Sequence, residues 1–211
     1  MAINYNTTLC GLDEAGRGPL AGPLLAAAVV FSPEFDFAVR FPELRFGDSK
    51  QMTRLQRERA FEKIIENAVA WQVETISVDE INQSGIGWAN REAFERLITR
   101  LPADTYIVDG NLKLDLPPLW WGRVECRIRA DESVMAVSAA SILAKVTRDR
   151  LMHDLSREYP EYGWAHNSGY GTPEHLRALR RHGATVQHRM QFIQTALSKP
   201  LPMLDRIDVS E

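Results

Sequence analysis

The 211-residue chain has two cysteines, no apolar run longer than the eight residues Leu24 to Phe31, and no marked excess of either charge, with 25 Lys and Arg against 28 Asp and Glu for a net −3. Each shortage excludes something. A membrane helix needs about 18 consecutive apolar residues, so a span is ruled out. Cys10 and Cys126 cannot build a disulfide framework or a paired metal motif, and both are read as buried thiols. Met1 to Thr8 lack a basic stretch followed by an apolar one, so the cytoplasm is the expected compartment. The slight acidity argues weakly against a protein that holds nucleic acid by bulk charge. Repeats and low-complexity segments are absent. What remains is ordinary globular composition, 45% apolar, at a length suited to one domain with a sizeable core.

Two short apolar runs, Thr8 to Leu12 and Leu24 to Phe31, flank the Gly- and Pro-rich stretch from Gly16 to Pro23, which predicts two strands joined by a shaped loop. Behind a Thr53 cap, Leu55, Phe61, Ile64 and Ile65 recur at helical spacing up to Asn67. Alternation from Val69 to Ser77 predicts a strand, and Trp88 to Thr99 a helix. Tyr106 to Val108 and Val124 to Ile128 are further short strands. From Val134 to Tyr159 there is no Gly or Pro, so a long helix or two abutting ones is expected. Thr172, Pro173 and Gly183 bracket a helix of about ten residues, and one more precedes a tail over 200–211. The pattern is α/β or α+β, with a helical C-terminal third.

Three of these strands deliver carboxylates where they end: Asp13 and Glu14, Asp109, and Asp131. One acid at a strand end is usually a turn or cap residue, but four that converge repel one another unless protonated or bridged by cations. All-oxygen ligation favours Mg²⁺ or Mn²⁺, and no His or Cys pair at zinc spacing lies nearby. Asp13 and Glu14 are adjacent and point to opposite faces of a regular strand, so both reach one site only if the strand ends there. Gly16 and Gly18 around Arg17 supply such an ending, and their bare amides suit close approach to a sugar or phosphate; a plain connection is the simpler reading. No Gly-Lys-Ser/Thr follows, which excludes a Walker-type loop. Ser141, Lys145 and Arg148 share one helical face, either for phosphates or for solvent. Tyr170 between Gly169 and Gly171 is suited to stacking on a sugar or base, or simply packs a turn. His166, His175, His182 and His188 are too dispersed for a metal cluster and are read mostly as surface or capping residues.

On the stretches Gly11 to Gly18, Asp48 to Lys50, Val108 to Gly110, Ser138 to Asp149, Gly169 to Gly171 and Gly183 to Arg189, the chain resembles bacterial ribonuclease HII, in family order from about residue 8 to 195. It departs from the family pattern at Ala130, where glycine is common, and at Met190 to Phe192. The resemblance implies an RNase H-like fold over 1–199, a mixed sheet of about five strands with flanking helices and a helical C-terminal region. It implies cleavage of the RNA strand of RNA–DNA hybrids, and of duplex DNA on the 5′ side of single embedded ribonucleotides, leaving 3′-hydroxyl and 5′-phosphate. Catalytic and metal-holding positions match Asp13, Glu14, Asp109 and Asp131, with two Mg²⁺ or Mn²⁺ ions expected in the substrate complex. Gly16, Arg17, Gly18 and the junction-sensing Tyr170 match substrate-binding positions; Lys50, Ser141 and Lys145 are further candidates for phosphate contacts. A monomer suffices. Residues 139–190 carry eight Lys and Arg against five Asp and Glu, a local +3 with all five histidines, and two divalent ions would offset the four acids. The overall −3 is therefore compatible with gripping a polyanion.

Overall fold

The computed structural model describes residues 8–44 and 52–198. They form two compact units, one of residues 8–17, 23–44 and 52–148, the other of 18–22 and 149–198.

The first unit is built on a five-stranded mixed sheet: β1 (Leu9–Ala15), β2 (Leu24–Val30), β3 (Ala70–Ile76), β4 (Thr105–Asp109) and β5 (Val124–Arg127), in the order β3-β2-β1-β4-β5. β2 pairs antiparallel with β1 and β3, whereas β4 runs parallel to both β1 and β5. This arrangement positions the site, because β1, β4 and β5 are adjacent and end on the same edge of the sheet. Helices α1 (Phe37–Arg40), α2 (Arg54–Asn67), α3 (Val78–Ser84) and α4 (Ile86–Arg100) also belong to this unit, with most of α5 (Met135–Glu158).

β2 reads as an uninterrupted apolar run because both of its faces are covered. Leu24, Ala26 and Ala28 pack with Phe94 and Leu97 of α4; Ala27 and Val29 pack with Phe61 and Ile64 of α2 and Ala140 and Leu143 of α5. The α2 start is the expected one, with Thr53 accepting from the Gln56 N–H and the Gln56 side chain accepting in return, a capping box worth about 1 kcal/mol. Leu55 departs from the expected apolar stripe and faces solvent. In β3 the inward phase is Glu74 and Ile76, while Trp71 and Thr75 face out. A buried glutamate is tolerated there because Arg96 and Arg100 of α4 reach it at 3.1 and 2.7 Å. Cys10 is buried, but Cys126 on edge strand β5 is only partly so, a correction to its expected burial.

In the second unit, the last turns of α5 pack with α6 (Trp164–Asn167), α7 (Pro173–His182) and α8 (Met190–Leu197) around Leu20, Met152, Tyr162, Trp164 and Leu179. Helix α7 begins and ends as its sequence predicts, with Thr172 capping the His175 N–H, Pro173 in the first turn and Gly183 at φ +81° as the stop. Among the described residues no helix is long and apolar enough to cross a membrane.

Candidate active site

The register of β1 against its neighbours creates the opening. Pairing with β4 stops at Leu12 opposite Val108, whereas pairing with β2 continues through Asp13, Glu14 and Ala15. The strand therefore does not end at the acids, as the sequence suggests; it loses one neighbour there. Beyond Leu12 the β4 side is vacated, and Asp109, the last residue of β4, stands at that edge.

Asp13 shares a face of β1 with Gly11, where the backbone of α5 comes so close that an added Cβ would lie 2.1 Å from the Ala136 carbonyl carbon. Two residues along a strand advance about 6.6 Å, close to the rise from Ala136 to Ser141 on the helix. The Ser141 hydroxyl accordingly donates to Asp13. Ser141 thus contacts the Asp13 carboxylate directly. Lys145 lies one turn further on, half-buried.

Asp13 is only 6% exposed. Burial, then the Glu14 charge and to a lesser degree Asp109, push its pKa up to about 8, against opposing hydrogen bonds from Ser141 and the Glu14 N–H at 2.7 Å. Glu14 is pushed up to about 7, again by burial first; Arg17, whose Nη1 lies 3.4 Å from Oε1, opposes the shift, and Asp109 adds to it. Three carboxylates from β1 and β4 thus sense one another in a desolvated place. Asp131 arrives differently from the sequence expectation. It sits not at the end of β5 but in a 3₁₀ turn, Ala130–Glu132, entered through Arg129 in the left-handed region at φ +57°. The turn is tied back to β4 by the Ala130 N–H, which donates to Asp109 Oδ1 at 2.8 Å. Ala130 is fully buried.

Among the described residues no three His, Cys, Asp or Glu side chains already stand in a cation-holding group. The donor chemistry nonetheless fits a hard divalent cation, since buried, mutually repelling oxygen donors are relieved by positive charge more readily than by solvent.

Gly16, at φ +95°, is glycine for two reasons, because a Cβ there would also meet Nε of Arg148 at 2.2 Å. Arg148 is 1% exposed, and its Nε donates to the Pro23 carbonyl at 3.0 Å. Arg148, the last member of the face formed with Ser141 and Lys145, is therefore not solvated: it is a buried support for the glycine turn. In the second unit, Gly18 leaves ordinary contact distance, 3.6 Å from a built Cβ, to Cε1 of Tyr170. The Tyr170 ring is half exposed, and its backbone is held on both sides: its N–H donates to the Asn167 carbonyl at 2.9 Å, and its own carbonyl accepts from the Thr172 N–H at 2.8 Å. Lys50 and the Asp48 to Lys50 triplet lie outside the described residues, as does the tail over 200–211.

Two of the four histidines expected to be mostly surface or capping residues are instead in the core, a correction to that expectation. His175 and His188 are both fully buried, with their Nε2 atoms 3.1 Å apart. Thirteen positions and a helix separate them, so no local pattern signals the pairing.

A family model described as Ribonuclease HII matches residues 10–195. The ribonuclease HII of Ralstonia nicotianae is 45% identical over 189 residues, covering 87% of this chain and 76% of that protein, and that of Cupriavidus necator is 44% identical over 202 residues, covering 92% and 80%. Among solved structures, ribonuclease H2 from Pyrococcus horikoshii superposes with a TM-score of 0.73 at 28% identity, covering 90% of this chain and 97% of that one. Bst-RNase HIII in complex with Mn²⁺ shares the fold at a TM-score of 0.66 and 20% identity, covering 92% and 70%.

Proposed function

The chain belongs to the ribonuclease HII family and is a type II ribonuclease H, an endoribonuclease of RNA–DNA hybrids; from that membership we propose that it also incises duplex DNA on the 5′ side of a single embedded ribonucleotide, leaving 3′-hydroxyl and 5′-phosphate. The observation that carries a metal-assisted reading is the desolvated carboxylate group of Asp13, Glu14 and Asp109 at the edge where β1 outruns β4. Asp13, Glu14, Asp109 and Asp131 would hold two divalent cations, Mg²⁺ or Mn²⁺. When bound, these supply a hydroxide-like nucleophile and charge to stabilise the leaving 3′-oxygen.

The protein's own part is to hold and orient. Ser141 fixes the rotamer of Asp13, Arg17 restrains Glu14, and the Ala130 N–H restrains Asp109. Choice of RNA over DNA requires a group that senses the 2′-hydroxyl, which is both donor and acceptor. We assign that contact to the backbone around Gly16, Arg17 and Gly18, and to Tyr170 stacking on the deoxyribose that follows the ribonucleotide. Lys145 is assigned a phosphate contact, since phosphate contacts set position rather than sequence preference.

The test is a labelled duplex carrying one ribonucleotide beside an all-DNA duplex and a continuous RNA–DNA hybrid, with Mg²⁺, Mn²⁺ or chelator. Cleavage of both ribonucleotide-containing substrates, only with metal and with a 3′-hydroxyl product, is the expected result. Cleavage of the all-DNA duplex would replace this reading with that of a broad metal-dependent nuclease.

A further inference from the structure

Tyr170 is a half-exposed ring carried between two glycines, Gly169 at φ +83° and Gly171, and such a backbone is conformationally permissive unless something holds it. Part of the restraint is local: the Gly169 N–H donates to Asn167 Oδ1 at 2.9 Å, and the Gly169 carbonyl accepts from the Leu20 N–H at 2.8 Å. The rest comes from the histidine pair. His175 Nδ1 lies 2.9 Å from the Tyr170 carbonyl, His175 Nε2 lies 3.1 Å from both Trp164 Nε1 and His188 Nε2, and the Thr185 N–H points at His188 Nδ1 at 2.9 Å.

These partners determine where every proton is. A backbone N–H only donates, and the Thr185 hydroxyl, 3.0 Å from the same atom, accepts from the Gln187 N–H and is free to donate, so His188 Nδ1 accepts and its proton sits on Nε2. A carbonyl only accepts, so His175 carries its proton on Nδ1. His175 Nε2 is then a bare acceptor that receives two donors, the indole N–H of Trp164 and the Nε2–H of His188. The two rings are neutral and of opposite tautomer, and a proton added to either would set donor against donor. Burial agrees, holding His175 below the ordinary histidine range and His188, which also feels His175, down to about 4. Around them Tyr162 stacks on Trp164 at 5.2 Å and meets His188 edge-on at 4.8 Å, so the chain of hydrogen bonds runs through an aromatic core. His188 is itself anchored by a bridge to Ala21, next to the Leu20 N–H that holds Gly169.

We propose that His175 and His188 are positioning residues, a neutral proton-ordered relay whose end, the His175 Nδ1–H on the Tyr170 carbonyl, sets the direction in which the Tyr170 ring is offered to the substrate. This rests on the junction role assigned to Tyr170 above. It explains why two imidazoles, expensive to bury, occupy the core beneath a surface turn.

Ring-nitrogen NMR of the wild-type chain at neutral pH tests the relay without reference to activity: the proton is expected on Nδ1 of His175 and Nε2 of His188, and any other tautomer pair overturns it. The positioning role is read from the ratio of cleavage on a single-ribonucleotide duplex to cleavage on a continuous hybrid. His175→Leu should lower that ratio about tenfold through misplacement of the ring. His175→Asn, which keeps a donor near the Nδ1 position, should restore most of it, and in a Tyr170→Ala background His175→Leu should lower the ratio no further. Should His175→Leu fail to fold, His188→Asn, which keeps the acceptor for Thr185 and loses the donor to His175, takes its place with the same expectation. An unchanged ratio in the histidine variant, with Tyr170→Ala still altering it, overturns the positioning role alone. An unchanged ratio in Tyr170→Ala overturns the junction reading beneath it, whatever the tautomers.

Discussion

Gly11 on β1 and Ala136 at the start of α5 meet backbone to backbone, so that a methyl group on Gly11 would lie 2.1 Å from the Ala136 carbonyl carbon and 2.2 Å from the Val137 nitrogen. Neither neighbour is a side chain that can swing away. Gly11→Ala must push the helix off the sheet, and we expect a stability loss of about 2–3 kcal/mol, the usual cost of overpacking a core. Urea denaturation measures it. Cleavage should fall with it, because the same displacement carries Ser141 away from Asp13.

Asp13→Asn should abolish cleavage while binding of an RNA–DNA hybrid largely survives, since the carboxylate's part is to hold a cation rather than to hold the strand. Gel-shift and cleavage assays on the same preparation separate the two. Full cleavage by this variant would remove Asp13 from the metal site.

Without divalent ions, the carboxylates make stability fall as pH rises. Asp13 and Glu14 have folded pKa values of about 8 and about 7, above their ordinary 3.8 and 4.5. The folded state therefore binds protons more tightly than the unfolded chain, and their stabilising contribution is complete below pH 3.8 and lost between there and about pH 8. The expected loss is on the order of a few kcal/mol. Chemical denaturation of chelator-treated protein across that range should show the decline, Asp13→Asn should flatten it, and Mg²⁺ or Mn²⁺ should restore stability at the alkaline end.

Tyr170→Ala should cost about tenfold or more on a duplex with one embedded ribonucleotide, the lower end of what lost stacking on a single base costs. The loss on a long hybrid should be clearly smaller, because the ring is assigned to the RNA-to-DNA junction. Parallel kcat/KM measurements on the two substrates check this, and equal losses would end the junction role.

Lys145 and Arg148 share a helix and a charge but should behave differently. Arg148→Ala empties a buried site under Gly16 and orphans the Pro23 carbonyl, so a stability loss of about 2–4 kcal/mol is expected, with little change in the salt dependence of hybrid binding. Lys145→Ala should leave stability nearly intact and reduce the slope of log K against log salt by about one. Titrations at several salt concentrations distinguish them.

Much of this protein is local in origin and can be read from the chain. The apolar runs of β1, β2 and β4, the Thr53 capping box, the Thr172, Pro173 and Gly183 brackets of α7, and the uninterrupted α5 all follow from propensity, periodicity and caps over a few neighbouring residues. The positions of Asp13, Glu14 and Asp109 beside short apolar runs are legible as well, and the structure sets these three carboxylates near one another. Long-range packing decided the rest. Only the strand order shows that β1 loses β4 as a neighbour at Leu12 while keeping β2, so that Asp13 and Glu14 lie on a continuous strand open on its β4 side. Only packing shows that Asp131 comes from a left-handed entry into a tight turn, that Arg148 supports Gly16 from within, and that His175 finds His188 across a helix. Sequence patterns report which face of an element is apolar, but a buried arginine, glutamate or histidine is stable only through partners distant in the chain, and those partners exist only in the folded structure.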